Sequence, residues 1–308
     1  MDINLADFYS RLGTIALIIA LGLFLGKIKW ISHKTNGQLV NLLLMVFMPA
    51  ALFSAFPDTY SDQSLSLFFS GFLGGIVVNV ALIIASKVIF NKWFYKRELR
   101  YESQFALIFN NATFLGYPII ATTFGEVGLI PYCGFIVVFN IALFSYGVWL
   151  FERKLSWRLV RNTLLNPNII AVILGMILFL ANFQLPGFIN DGVSFVGSAT
   201  TPLSLICIGF MLSHADVRKL IRKWRLFVTA AVQLIVGPTM TYFLLLALHF
   251  PTEVVVVCTL IQALPTATSL GLFAKKYGGN DIESSELVAV STLMSVVTLP
   301  VMISILLL

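Results

Sequence analysis

Residues 108–118 read Ile-Phe-Asn-Asn-Ala-Thr-Phe-Leu-Gly-Tyr-Pro, which places two amides, a threonine, a glycine and a proline inside an apolar run. Proline lacks a backbone donor and clashes with the preceding helical turn, so the residues before Pro118 are predicted to leave the helix. Proline is also favoured at the first position of a new helical segment, so we expect the helix to restart there. The stretch therefore predicts a broken membrane helix.

A second stretch in the other half of the chain repeats this pattern. Residues 260–269 read Leu-Ile-Gln-Ala-Leu-Pro-Thr-Ala-Thr-Ser, with Pro265 among amide and hydroxyl side chains. In lipid, freed backbone groups are prohibitive unless they line a protein cavity or bind a ligand. The two polar breaks together predict a binding site. A plain structural kink is the alternative, and it is the favoured interpretation for four other prolines: Pro49, Pro202, Pro238 and Pro300.

Ten apolar stretches organise the whole chain. They cover residues 12–26, 38–56, 65–86, 103–124, 128–151, 165–182, 192–213, 226–248, 254–274 and 287–308. A helix of about 20 residues crosses a bilayer core, and most of these stretches are that long. The composition agrees, since 58% of the residues are hydrophobic and 11% are charged. We predict an all-α integral membrane protein of ten spans, with residues 1–308 as a single unit.

Charge fixes the predicted orientation. Of the 20 lysines and arginines, all but Arg11 fall on alternate loops between the spans. Positively charged short loops stay in the cytoplasm, so both termini are predicted to be extracytoplasmic in a multi-pass protein of the cell membrane. The net charge of +6 is explained by this bias and by attraction to anionic membrane lipid, without a nucleic-acid partner.

Landmarks recur between residues 1–160 and residues 161–308, which hold five spans each. The separations are 153, 153 and 147 residues for the pairs Gly22 and Gly175, Pro49 and Pro202, and Pro118 and Pro265. Because five is odd, the second repeat enters the membrane from the opposite face. Inverted repeats with interrupted helices are typical of secondary transporters. Chance recurrence is the alternative in a chain with 21 glycines and 11 prolines.

The spans lack a deep acidic, basic or histidine side chain, which limits the chemistry of the predicted site. Restarted helices offer unpaired amides and a partial positive charge, so two such ends can hold a carboxylate without arginine. The carbonyl ends of the preceding half-helices are an alternative sodium site. The candidate binding residues are Asn110, Asn111, Thr113, Gly116, Pro118, Gln262, Pro265, Thr266, Thr268 and, on the fifth span, Asn140. Other polar residues line a pathway or bond between helices: Asn79, Tyr146, Gln233, Ser291, Thr292, Ser295 and Thr298.

The residues exclude most enzyme classes. An intramembrane enzyme needs a nucleophile with a base, paired aspartates or a metal site, and the spans offer no charged group or histidine for this chemistry. Cys133, Cys207 and Cys258 are predicted to be buried apolar residues rather than metal ligands. We therefore predict a protein that is not an enzyme and has no cofactor. A channel or sensor is the competing class, because crossed broken helices also line pores.

Several segments resemble the auxin efflux carrier family, which contains bacterial malate and other organic-acid permeases. Residues 111–118 resemble its Asn-x-x-Phe-x-Gly-x-Pro motif, and residues 263–268, 273–279 and 291–300 resemble its ninth and tenth helices. The resemblance implies two inverted five-helix repeats whose broken helices four and nine cross, as in bile-acid symporters and sodium/proton antiporters. It also implies an elevator motion of spans 3–5 and 8–10 against a scaffold of spans 1, 2, 6 and 7.

The chain departs from plant hormone exporters at one place. Those proteins join the fifth and sixth helices by a long hydrophilic segment, whereas only residues 152–164 intervene here. The resemblance therefore favours a bacterial carrier of small organic anions such as malate, with H⁺ or Na⁺ as the candidate coupling ion and a homodimer as the candidate assembly. An auxin-like aromatic acid carrier and a bile-acid-like sodium-coupled anion carrier are the alternatives.

Overall fold

The computed structural model describes residues 5–56, 61–91, 97–153, 161, 165–214, 220 and 223–307. Its helices are α1 (Leu5–Lys27), α2 (His33–Phe53), α3 (Asp62–Ile89), α4 (Arg97–Ile108), α5 (Ala112–Glu152), α6 (Pro167–Leu180), α7 (Gly187–Ser213), α8 (Trp224–Ala247), α9 (Thr252–Gln262), α10 (Leu270–Tyr277) and α11 (Asp281–Leu307). Several of the loop cations that set the predicted orientation lie outside the described residues: Lys92, Lys96, Lys154, Arg158, Arg218, Lys219 and Arg222.

Local sequence explains where several helices begin. Ser61 precedes α3, and its hydroxyl accepts from the backbone N–H of Ser64. Asn166 caps α6 in the same way, with its side-chain oxygen 2.9 Å from the N of Asn168, and Pro167 occupies the first helical position. These contacts satisfy amides that have no partner inside the helix.

The distribution of side chains is that of a membrane protein. Six helices, α2, α3, α5, α7, α8 and α11, are long and apolar enough to cross a bilayer. Large apolar side chains face outward, as at Val296 (67% exposed) and Val297 (68% exposed), while Asn110 and Gln262 are buried. A surface this apolar is stable against lipid rather than water. The chain is a multi-pass membrane protein.

Length and composition thus identify six spanning helices in the described residues rather than the ten expected, and α5 explains part of the difference. At 41 residues α5 would be about 60 Å long if straight, twice the thickness of the hydrocarbon core. Gly125 interrupts it with a backbone φ of 57° and ψ of −144°, which favour glycine. The hydroxyl of Tyr132 donates to the carbonyl oxygen of Ala112 across 2.9 Å, so the chain reverses at Gly125. The 41 residues of α5 therefore form two antiparallel helical segments joined at Gly125.

The remaining difference comes from short or interrupted helices. The apolar parts of α1, α6 and α9 are shorter than a full span. The stretches at residues 103–124 and 254–274 are each divided, because α4 ends at Ile108 and α9 ends at Gln262. A half-helix of 11 or 12 residues reaches only about 18 Å, so it ends inside the membrane.

Glycines allow the helices to approach closely. A Cβ added at Gly22 of α1 or at Gly209 of α7 would collide with backbone atoms of the other helix, at Ile206 and Ile19 respectively. The same relation joins α3 and α5 through Gly71 and Gly134. Close backbone contact at small residues is how membrane helices gain packing energy without a hydrophobic driving force.

Candidate functional site

The two interrupted helices meet at their breaks. Asn110 and Thr266 form an antiparallel bridge. The N–H of Asn111 donates to the carbonyl oxygen of Pro265 across 2.7 Å, and the N–H of Ala267 donates to the carbonyl oxygen of Phe109 across 3.0 Å. Backbone groups that the breaks release therefore satisfy each other, as burial away from water requires. We call residues 109–111 and 263–269 the crossing.

The position of the prolines differs from the expectation. Pro118 does not restart a helix, since residues 112–116 before it are already helical with the wide spacing of a π-helix. Pro265 lies inside its break, and the helix restarts later, at Leu270. A wider turn lets a helix accommodate the missing proline donor without ending, because the bonding pattern shifts by one residue. The same five-residue π segment precedes Met48-Pro49 and Gly237-Pro238.

Side chains from three helices extend the crossing. The amide Nδ2 of Asn110 donates to Oε1 of Gln262 across 2.6 Å. The hydroxyl of Thr266 donates to Oε1 of Gln233 on α8 across 3.3 Å. The amide Nε2 of the same Gln233 donates to the carbonyl oxygen of Leu264. The backbone N–H of Thr266 donates to the hydroxyl of Ser291 on α11 across 3.1 Å. A continuous polar network thus runs from α4 to α11.

Two polar atoms of this network have no partner among the described residues. They are Oδ1 of Asn110 and Nε2 of Gln262, one an acceptor and the other a donor. Asn110 is 1% exposed and Gln262 is fully buried. A buried unsatisfied polar atom costs about 1 to 3 kcal/mol, so such a pair is expected where a ligand or a second conformation supplies the missing bonds.

The N-termini of α5 and α10, the helices that follow the two breaks, differ in how they are capped. At the start of α5, Oδ1 of Asn111 accepts from the N–H of Phe114 across 3.2 Å, so the side chain already caps the helix. At the start of α10, Ser269 makes no side-chain cap bond. Thr113 and Thr268 are half-buried beside these ends, whereas Asn111 is buried. The N-terminus of α10 is therefore better able than that of α5 to bind an anion, because no side chain caps it.

The other candidate residues are less closely joined to the network. Gly116 is buried, and an added Cβ would come 3.1 Å from Cδ1 of Leu264 across the crossing. Pro118 is buried in α5. Asn140 is 4% exposed, and its Nδ2 donates within its own helix to the carbonyl oxygen of Ile136. Asn140 thus lies in the core and makes no hydrogen bond to the crossing within the described part of the chain.

Three contributors to the crossing carried weak sequence signals or none. From the sequence, Gln233 and Ser291 could either line a pathway or form hydrogen bonds between helices. Their hydrogen bonds to Thr266 can be seen only in the folded structure. Tyr132 lies 20 residues after Ala112 and reaches it only because the chain reverses at Gly125.

A buried carboxylate was also missed. Glu102 of α4 is 2% exposed, and its Oε1 accepts from the backbone N–H of Asn280 across 2.9 Å. The pKa of Glu102 is raised to about 7, mainly by burial and to a smaller extent by the nearby Glu283 carboxylate, while the hydrogen bond from Asn280 acts to lower it. Glu102 directly precedes the apolar stretch at residues 103–124, and nothing in the local sequence indicates that its side chain is buried.

Interrupted helices that meet at a buried polar crossing in a multi-pass helical protein are typical of membrane transporters. The family model for membrane transport proteins matches residues 8–160 and 153–303. The chain belongs to this family, that of the auxin efflux carriers, which confirms the resemblance read from the sequence.

Relatives agree with this class. The uncharacterized transporter YfdV of Escherichia coli is similar at 24% identity over 322 residues, which cover 97% of this chain and 98% of that protein. An uncharacterized transporter of Methanocaldococcus jannaschii is 28% identical over 214 residues, or 65% of this chain and 67% of that protein. Both names state transport without a substrate.

Proposed function

We propose that the protein is a secondary carrier of small organic anions, such as malate or a related carboxylate, with the substrate bound at the crossing. The carrying observation is the buried amide pair of Asn110 and Gln262, which leaves one acceptor and one donor unpaired. A carboxylic acid group offers both a donor and an acceptor when protonated, and a second polar group such as the malate hydroxyl does the same.

The charge of the substrate would be met by backbone rather than by side chains. The start of α10 lies beside the half-buried Thr268 and Ser269, and its N–H groups after that of Leu270, which donates to the carbonyl oxygen of Ala267, would meet the carboxylate. A helix N-terminus carries about half a positive charge, which suits a single carboxylate. Two charges would strain such a site, because desolvating the second without a partner is costly. The proposed bound species is a monoanion, or a dianion accompanied by H⁺ or Na⁺.

Packing supports the proposed inverted repeats. Gly22 of α1 contacts the backbone of α7, and its counterpart Gly175 of α6 lies against Phe53 and Phe56 at the end of α2. In the proposed alignment α6 corresponds to α1 and α7 to α2, so the contact between α1 and α7 corresponds to the contact between α6 and α2. The breaks begin at residues 109 and 263, which are 154 apart and close to the separation of 153 between the glycines. The separation of 147 between Pro118 and Pro265 does not follow this alignment.

The proposed motion is of the elevator type. In this proposal α3, α4, α5, α8, α9, α10 and α11 move together against a scaffold of α1, α2, α6 and α7, with both termini outside the cytoplasm. Hydrogen bonds between the two breaks, and from the crossing to α8 and α11, favour movement of these helices as one body. Close glycine contacts between α1 and α7 suit the stationary part.

Counterflow in proteoliposomes tests the proposal. Trapped unlabelled malate should accelerate uptake of labelled malate, because a carrier returns loaded faster than empty, whereas a channel gives no such acceleration. The measurement is repeated with a panel of mono- and dicarboxylates under imposed H⁺ and Na⁺ gradients. Absence of counterflow for every acid in the panel, with protein correctly inserted, would refute the organic-anion carrier.

A further inference from the structure

A second polar site lies away from the crossing. A cavity of about 310 Å³ opens between the predicted cytoplasmic ends of α3, α4 and α5. Arg100 in its wall precedes Asn110 by ten residues of mostly helical chain, or about 15 Å. Three cations and three aromatic rings contribute to the wall: Lys87, Arg100, Arg153, Tyr101, Tyr146 and Trp149.

The cations of this cavity rest on its rings. The guanidinium carbon of Arg153 lies 4.5 Å from the ring centroids of both Tyr101 and Trp149. Lys87 Nζ lies 5.6 Å from the Tyr146 centroid. Aromatic faces orient a cation without neutralising it. Among the side chains that the structure describes, no carboxylate lies at ion-pair distance from Lys87, Arg100 or Arg153, which suits the binding of an anion from outside.

The backbone at Arg153 and the phenol of Tyr101 both lie at this cluster of positive charge. Arg153 ends α5 in a left-handed conformation, with φ 57° and ψ 16°, which residues other than glycine disfavour. That turn accompanies the seating of its guanidinium over Tyr101 and Trp149. Burial acts to raise the pKa of Tyr101, but hydrogen bonds and charge from Arg100 and Arg153 outweigh it and lower the pKa. The positive charge that lowers the pKa of Tyr101 would also stabilise an anion from outside.

An apolar stripe leads into the cavity. Val80 and Ile84 of α3 are 51% and 60% exposed, and with Lys87 they follow the spacing of one helical face. The exposed apolar stripe on α3 therefore ends at the three cations of the cavity. A molecule that matches it is an amphiphile with an anionic head.

We propose that this cavity binds the headgroup phosphate of an anionic phospholipid from the cytoplasmic leaflet, with an acyl chain along Val80 and Ile84. Guanidinium groups suit phosphate because their planar N–H donors bind two oxygens at once. The cytoplasmic leaflet supplies anionic lipid at the depth where the ends of α3 and α5 lie. A free phosphate shares the head chemistry but makes no contact with the apolar stripe.

Native mass spectrometry of protein from nanodiscs tests the site. The parent should retain phosphatidylglycerol in preference to phosphatidylcholine. Each of three single variants, Lys87→Gln, Arg100→Gln and Arg153→Gln, should weaken this preference about fivefold, as expected for loss of one cation near anionic lipid. Lys276→Gln is the matched control, because Lys276 also stacks on a ring, 5.2 Å from the Tyr277 centroid, but lies outside the cavity.

Three results would overturn the proposal. An equal loss of preference in the Lys276→Gln control would indicate general attraction to a charged surface. Thermal stabilisation of the detergent-solubilised parent by inorganic phosphate as strong as that by phosphatidylglycerol would indicate a site for soluble anions. Retention of the preference in all three cavity variants, each monodisperse on size exclusion, would exclude the cavity altogether.

Discussion

Replacement of Glu102 by glutamine should make the protein less sensitive to alkaline pH. The carboxyl group is 2% exposed, and burial raises its pKa from the ordinary 4.5 to about 7. At about 1.4 kcal/mol for each factor of ten in proton affinity, this difference corresponds to about 3 kcal/mol. Because the folded pKa is the higher one, the stabilisation is complete below about pH 4.5 and is lost as the pH rises through about 7.

Glutamine resembles the protonated acid in shape and keeps an oxygen for the N–H of Asn280. The variant should therefore match the parent near pH 4 and exceed it by about 3 kcal/mol at pH 8, or about 5 °C or more in melting temperature. Differential scanning fluorimetry in detergent across this pH range measures the effect. Glu152→Gln on an exposed position is the control and should leave the pH profile unchanged. A Glu102→Gln profile as steep as that of the parent would refute the assignment.

Three further outcomes are expected. Asn110→Leu and Gln262→Leu should each lower counterflow of the transported acid about tenfold or more while the protein remains monodisperse, since each removes a polar partner at the crossing; full counterflow in both moves the site elsewhere. Gly209→Ala should destabilise the protein by about 1 to 3 kcal/mol through collision with the backbone of α1, whereas Gly192→Ala, which meets no neighbouring atom within 4 Å, should not; equal melting temperatures would contradict the packing. In a background without native cysteines, a cysteine at position 191 should react with an impermeant maleimide added outside intact cells, and reaction only after permeabilisation would reverse the orientation.

The family, the membrane class and the existence of two breaks could be read from the chain because they depend on local composition. Polar residues beside Pro118 and Pro265 stand out in apolar stretches regardless of what packs on them. The location of the first break could not be read in this way. A proline predicts a disturbance, but whether the helix ends or widens into a π turn depends on the neighbours available to bond its carbonyls.

Contacts between distant parts of the chain were the other limit. Gln233 joins Thr266 because α8 packs beside the crossing, a relation that no spacing within either segment contains. The burial of Glu102 could not be predicted from its neighbours in sequence. It depends on contact with the turn near Asn280, which lies 178 residues later in the chain. Burial of an isolated carboxylate is a property of tertiary packing rather than of local pattern.

The bonds that join the two breaks are made by backbone atoms, through the N–H groups of Asn111 and Ala267. Such a joint does not depend on which side chains occupy those positions. Substitutions at the crossing can therefore change which molecule is preferred while the two half-helix pairs stay fastened together. Side chains at the crossing select the substrate, whereas backbone bonds hold the two breaks together. A single substitution can therefore change the substrate without disrupting the helices that move.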